Sequence, residues 1–290
     1  MITKERIVSM ILWEPRRFSL RDFEKPLKEP KELGSWQTDW NLIFPFWETF
    51  VPAFDEMCAA VDHIPFTSKK TAYYTFLKNV NPDDITQVKS FLEAIGPYVA
   101  IRDCLALSFA IDYDREGGNP DASQTRVGQL RSIAKTYGKV ASSQALEKAD
   151  ELAEECLAAL GKLTCYNSAT CIVAMPPSDP AKPFDLPKHL AANISGRLGK
   201  PDKSDKVKTL KARPGNKELP CEKKLTNIEG TVSVDDQSFK DAIVLLVDDL
   251  YQSGVSMNYV AMLLLEAGAK QVFGLSCEKT CSNDDNVSRR

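Results

Sequence analysis

The chain has 290 residues, 37 Lys/Arg against 40 Asp/Glu, a net charge of −3, and 43% apolar and 27% charged residues. That length allows about two domains around a sizeable core, and the near-neutral balance excludes a nucleic-acid footprint over the whole surface while leaving room for a local basic patch. The longest apolar runs, 242–247 and 260–265, have six residues each, against the roughly 18 needed to cross a bilayer, so no membrane association is expected.

The opening MITKERIVSMILWEPRR has no small-residue cleavage site after its apolar stretch, and a cytoplasmic location is expected. Eight cysteines occur without a C-x-x-C pair and are read as free, mostly core thiols. Only His63 and His189 are available for a zinc site or a Ser-His-Asp triad, which excludes little else but makes both poor readings.

In chain order, the first 35 residues, broken by Pro15, Pro26 and Pro30, read as irregular or weakly helical. Trp36, Trp40, Phe44, Phe46, Trp47, Phe50 and Phe54 then form an aromatic-dense stretch that calls for burial. It is read as the core of a mostly helical N-terminal lobe over 1–112, the alternative being an exposed docking or base-stacking surface. Asn81-Pro82-Asp83-Asp84 before Ile85, Val88, Leu92 and Ile95 predicts a helix that ends at Gly96-Pro97, and a second apolar stretch covers 99–111. The turn-rich segment 112–124 is either a boundary to an α/β domain over 113–290 or a long loop within one domain.

Beyond it, Ser142-Ser143 can cap a helix with Leu146, Ala149, Ala153, Cys156, Leu157 and Leu160 on one face. Residues 171–175 read as a buried strand, and Leu190, Ile194 and Leu198 as a helix stopped by Gly199. A polar stretch over 200–224 precedes an extended piece at 228–234. Residues 243–247, apolar on both faces, suit a central parallel strand. A helix with Met257, Val260, Ala261 and Leu264 ends at Gly268, and 272–275 form the next strand. This order predicts an α/β fold with a doubly wound, mainly parallel sheet.

Ligands of such sheets collect at the carboxyl ends of the strands. Asp248 and Asp249 stand there, followed by Gln252, Ser253, Gly254, Val255 and Ser256 opening a helix. Backbone N–H groups, the helix dipole and two hydroxyls make a cradle for a phosphate monoester. Carboxylates beside a phosphate must face something else, either vicinal sugar hydroxyls or a divalent cation. A pentose 5-phosphate satisfies both demands.

The stretch VLLVDDLYQSGVSM resembles the phosphoribosyl pyrophosphate motif of type I phosphoribosyltransferases, and 171–280 follows that family's order of elements. Lys224, Asn227 and Gly230 are similar to the competence-associated, ComF-like subgroup, close to the amidophosphoribosyltransferases. The resemblance implies that Asp248 and Asp249 bind the ribose hydroxyls and act in catalysis, and that Gln252, Ser253, Gly254 and Ser256 hold the 5-phosphate. It implies a pyrophosphate loop at Pro176, Pro177, Ser178 and Asp179, and a mobile loop over 199–224 with Lys208, Lys211 and Arg213 as contacts. Mg2+ would be held mainly by the substrate pyrophosphate, with Asp248 as the candidate protein ligand. The implied reaction displaces pyrophosphate from the anomeric carbon by a nitrogen nucleophile, the acceptor itself remaining open. Glu278 and Lys279 are candidates to touch it, ordinary surface positions being the simpler reading.

A Walker B strand and a receiver domain fit poorly, since no G-x-x-x-x-G-K-[ST] loop exists and little of the given chain follows Asp249. The alternatives left open are a catalytically weak ligand sensor and an effector, as in a bacterial defence operon, controlled by a protein or nucleic-acid partner. Gln252 where threonine is usual, bulky Tyr251 and stiff Pro176-Pro177 motivate the first. A homodimer is also left open.

Overall fold

In the computed structural model, residues 1–23, 25–29, 40–67, 73–136, 138–214 and 219–281 are described. After α1 (Lys4–Ser9), capped by the Thr3 hydroxyl, β1 (Arg17–Ser19) joins the edge of the large sheet. β2 (Leu27–Lys28) and β3 (Trp40–Phe44) begin a smaller antiparallel sheet, completed beyond α2 (Phe50–Met57) by β4 (His63–Thr67) and β5 (Tyr73–Leu77) in the order β2-β3-β5-β4. α3 (Pro82–Ile95) starts where the sequence predicts: the Asp84 N–H donates to Asn81 Oδ1 at 2.9 Å, and the Asn81 N–H to Asp84 Oδ2 at 3.0 Å.

The N-terminal part is therefore not mostly helical. The run WNLIF at 40–44 is too short for periodicity to separate strand from helix, and its aromatic and β-branched side chains suit a pleated surface once β5 is available to pair with it. The expected burial of the rings is found for Phe44, Phe46, Phe50 and Phe54; Phe91 of α3 meets Phe54 edge-on at 5.2 Å. Trp47 is half-exposed and stacks on Tyr73, while Trp36 lies outside the described residues.

β6 (Val99–Ile101) and β7 (Leu107–Tyr113) return the chain to the large sheet, so the boundary drawn at 112–113 falls inside a strand. α4 (Arg126–Ala134), α5 (Ser143–Lys162), β8 (Cys171–Ala174) and α6 (Leu186–Leu198) follow. Then β9 (Val207–Thr209) and β10 (Val232–Val234), flanking α7 (Cys221–Ile228), pair as a separate ribbon. Ile228 thus closes a helix rather than opening an extended piece. β11 (Ile243–Tyr251), α8 (Val255–Glu266) and β12 (Gln271–Lys279) end the described fold.

The large sheet has the order β1-β6-β7-β12-β11-β8, with β7, β12, β11 and β8 parallel and β6 paired antiparallel with both β7 and β1 at one edge. It is a mixed α/β fold on a mainly parallel central sheet. Leu245 and Val247 pack toward Ala149 and Leu152 of α5 and Leu190 and Ile194 of α6, while Val244 and Leu246 pack toward Val260 and Leu264 of α8. Each such side chain contributes about 1.5–3 kcal/mol on burial. Cys58, Cys104, Cys156, Cys165, Cys171, Cys277 and Cys281 are buried, free thiols. Among the described residues no helix is long and apolar enough to cross a membrane.

One detail of register creates the site. β8 pairs with β11 only as far as Val247, whereas β12 pairs with it as far as Tyr251. β11 therefore overruns β8, and the space beyond Ala174 opens beside residues 248–251.

Candidate functional site

Asp248 and Asp249 lie on the strand itself, which continues past the predicted end at Val247 because β12 pairs with it further along. Successive strand side chains point to opposite faces, so the two acids part company. Asp249 shares the face of Leu245 and Val247, toward α4. There Arg131 Nε donates to its Oδ2 at 2.9 Å and Lys135 Nζ to the same oxygen at 2.8 Å. Arg131 Nη1 also donates to Glu278 Oε1 at 2.6 Å. Burial alone would raise the Asp249 carboxyl, but Arg131 and Lys135 outweigh it and hold it at about 2. Glu278 goes the other way, pushed up to about 7 by burial against the pull of Arg131. Asp248 is half-buried; its Oδ1 accepts the Asp249 backbone N–H at 2.8 Å, and burial with the Asp249 charge raises it well above the carboxylate range.

The turn after the strand is built around Gly254, whose φ is 78° and where a Cβ would lie 2.0 Å from Tyr251 Oη. No side chain fits there. Tyr251 does not crowd the cradle: it is buried beneath the turn, its Oη donating to Asp103 Oδ2 at 2.9 Å. Asn258 Nδ2 donates to Tyr251 Oη at 3.3 Å and to the Gly254 carbonyl at 2.9 Å. From the same side, Arg16 Nη2 donates to the Ser253 carbonyl at 2.8 Å. The carbonyls are thus tied from behind, and the turn leads into the N-terminus of α8.

Across the gap, the Arg213 N–H donates to the Ser178 carbonyl at 2.9 Å and Thr209 Oγ1 to the Pro177 carbonyl at 2.5 Å. Asn227 Nδ2 secures the same segment through the Pro214 carbonyl at 2.9 Å. Burial lowers the Arg213 guanidinium, partly offset by Asp248. Two adjoining cavities of about 210 and 230 Å³ share Lys135, Ser178, Arg213, Asp248, Asp249 and Ser256. One reaches Gln252, Ser253 and Gly254; the other reaches Pro177, Lys182, Phe184 and Asp185.

The structure thus brings Asp248, Asp249, Gln252, Ser253, Gly254, Ser256, Pro177, Ser178 and Arg213 to one place. It does not bring Asp179, whose Oδ1 accepts the Ala181 N–H at 2.9 Å, nor the exposed Lys208 and Lys211. Glu278 and Lys279 are neither surface positions nor open to an acceptor: β12 runs on to Lys279, and both side chains are buried. Arg131 and Lys135 were not anticipated. A signal existed, since Arg131 interrupts the apolar stripe Val127, Leu130, Ala134 of α4. Asp185 and Arg16 carried no such mark.

No family model matches the sequence, and no curated protein matches it. Among solved structures, glutamine phosphoribosylpyrophosphate amidotransferase from B. subtilis, complexed with ADP and GMP, overlaps 93% of this chain and 53% of its own at 13% identity and a TM-score of 0.29. A structure of the allosteric regulatory enzyme of purine biosynthesis overlaps 93% and 52% at 12% identity and a TM-score of 0.28. The chain spans about half the length of these proteins.

Proposed function

We propose that the chain is phosphoribosyltransferase-like: it binds phosphoribosyl pyrophosphate with Mg2+ at the tip of β11 and transfers ribose 5-phosphate to a nitrogen nucleophile with release of pyrophosphate. The observation that carries this reading is the conjunction of Asp248, the 252–256 turn opening α8, and Ser178 with Arg213 around one gap. The turn suits the 5-phosphate, Asp248 the ribose diol, and Ser178, Lys182 and Arg213 the diphosphate.

Asp249, held ionised at about 2, is a poor base. Its role is to keep a fixed negative charge near a sugar that becomes oxocarbenium-like. Asp185 is better placed to take the acceptor's proton: it lines the cavity, its Oδ2 has no partner among the described residues, and burial pushes it up to about 6. Among the described residues no group of three or more His, Cys, Asp or Glu could hold a metal. Asp248, on the wall of both cavities, is the carboxyl that would face an ion held chiefly by substrate oxygens. When bound, Mg2+ would offset the charge of the leaving pyrophosphate.

Calorimetry with phosphoribosyl pyrophosphate and Mg2+ tests the reading. Binding is expected for the wild type and its loss for Asp248→Ala/Asp249→Ala; a wild type that does not bind refutes it. A second reading, binding without turnover, draws on the Arg131–Lys135 clamp, which already occupies one Asp249 oxygen. Binding with no pyrophosphate release across ammonia and nucleobase acceptors would favour it.

A further inference from the structure

Behind the 252–256 turn lies a buried cation that the chemistry above does not use. Arg16 is 1% exposed and comes from the N-terminal arm, 237 residues from the carbonyl it meets. Its Nη2 donates to Ser253, and its Nε and Nη1 have no partner among the described residues. Its own backbone is fixed, because the Arg102 N–H donates to the Arg16 carbonyl at 2.8 Å and the neighbouring Arg17 guanidinium donates to the Thr280 carbonyl. Asp103 feels the Arg16 charge, yet its oxygens accept from Tyr251 Oη at 2.9 Å and the Leu105 N–H at 3.0 Å. Among the described residues Arg16 forms no ion pair within 4.0 Å.

Such a group is costly to bury unless something offsets its charge. The Ser253 carbonyl and the Gly254 N–H belong to one peptide unit, so a cation on the oxygen polarises the N–H on the turn's other side. We propose, on the reading of this turn as a phosphate cradle, that Arg16 is its positioning residue and makes it selective for a phosphorylated sugar. It holds the Ser253 peptide from behind and lends a charge that a bound phosphate offsets.

The test is titration calorimetry of ribose 5-phosphate, ribose and pyrophosphate into the full chain as wild type, Arg16→Gln and Arg16→Lys, with a thermal melt of each. The wild type should prefer ribose 5-phosphate to ribose. Arg16→Gln should weaken ribose 5-phosphate at least about tenfold, the scale of one charge-assisted hydrogen bond, and leave pyrophosphate within about twofold. Arg16→Lys, which keeps the charge, should recover most of that loss. A folded Arg16→Gln that binds ribose 5-phosphate like the wild type, or loses both ligands equally, overturns the proposal. Should Arg16→Gln not fold, Arg16→Lys decides. A loss of about two- to fivefold confined to ribose 5-phosphate supports the role, and no loss or a loss shared with pyrophosphate overturns it. A wild type that binds no ribose 5-phosphate overturns the functional reading and this one together, whereas variants indistinguishable from a binding wild type overturn this one alone.

Discussion

Replacing Glu278 by Gln isolates the effect of the buried carboxylates on stability. Glu278 is 3% exposed, with Arg131 on its Oε1 and no partner for Oε2 among the described residues. Burial pushes its carboxyl from an ordinary 4.5 to about 7, Arg131 recovering only part of the cost. The folded protein therefore keeps a proton that the unfolded chain releases near 4.5, and stability falls as pH rises between about 4.5 and about 7. That gap corresponds to about 3 kcal/mol, at about 1.4 kcal/mol per pH unit. Asp103 and Asp185, each pushed up to about 6 by burial, add slope of the same sign over a narrower range. Asp249, held at about 2, contributes stability that is complete above its ordinary 3.8 and is lost only as pH falls toward about 2. Glutamine keeps the shape and an acceptor for Arg131 but does not titrate. Urea denaturation at about pH 5 and about pH 8 should show Glu278→Gln losing about 2–3 kcal/mol less than the wild type over that interval. A variant that loses stability as steeply as the wild type would refute the argument.

Arg131→Met leaves Glu278 without a cation and Asp249 with Lys135 alone, and should cost about 3–5 kcal/mol by denaturation at neutral pH. Adding Glu278→Gln should return at least about 1 kcal/mol of that, since the unpaired carboxylate is gone; a strictly additive double variant argues against the coupling. Gly254→Ala combines a left-handed φ of 78° with a Cβ at 2.0 Å from Tyr251 Oη. It should destabilise by about 2–4 kcal/mol and abolish ribose 5-phosphate binding, as read by melting and calorimetry. Tyr251→Phe should not rescue it, because the ring carbon Cζ is already at 2.4 Å.

Much of the fold from residue 81 onward was legible because its signals are local. Asn81 and Ser142 cap the helices they precede, and Gly199 ends α6 in the left-handed conformation with φ 64°. The apolar run at 243–247 reads as a buried strand wherever it is placed. The N-terminal strands were not legible for the converse reason: β2, β3, β4 and β5 are each at most five residues long, and β5 pairs not only with its neighbour β4 but with β3, from before the intervening α2. At the site, the 252–256 turn is readable from its small residues, but the apolar stretches stop short of the ends of β11 and β12. Both strands run further than their apolar stretches because pairing between them continues through polar residues.

From the chain alone came the strand–turn–helix unit that carries Asp248 and Gly254, since hydropathy period, turn residues and capping act within a few positions of one another. The division of labour between two adjacent aspartates could come only from the folded molecule. Both line the cavity, but strand alternation turns Asp249 toward α4, and the cation that fixes it arrives from 118 residues upstream. Charge at that tip is a property of what packs against it, and packing partners so distant leave no mark on the sequence around 248–249.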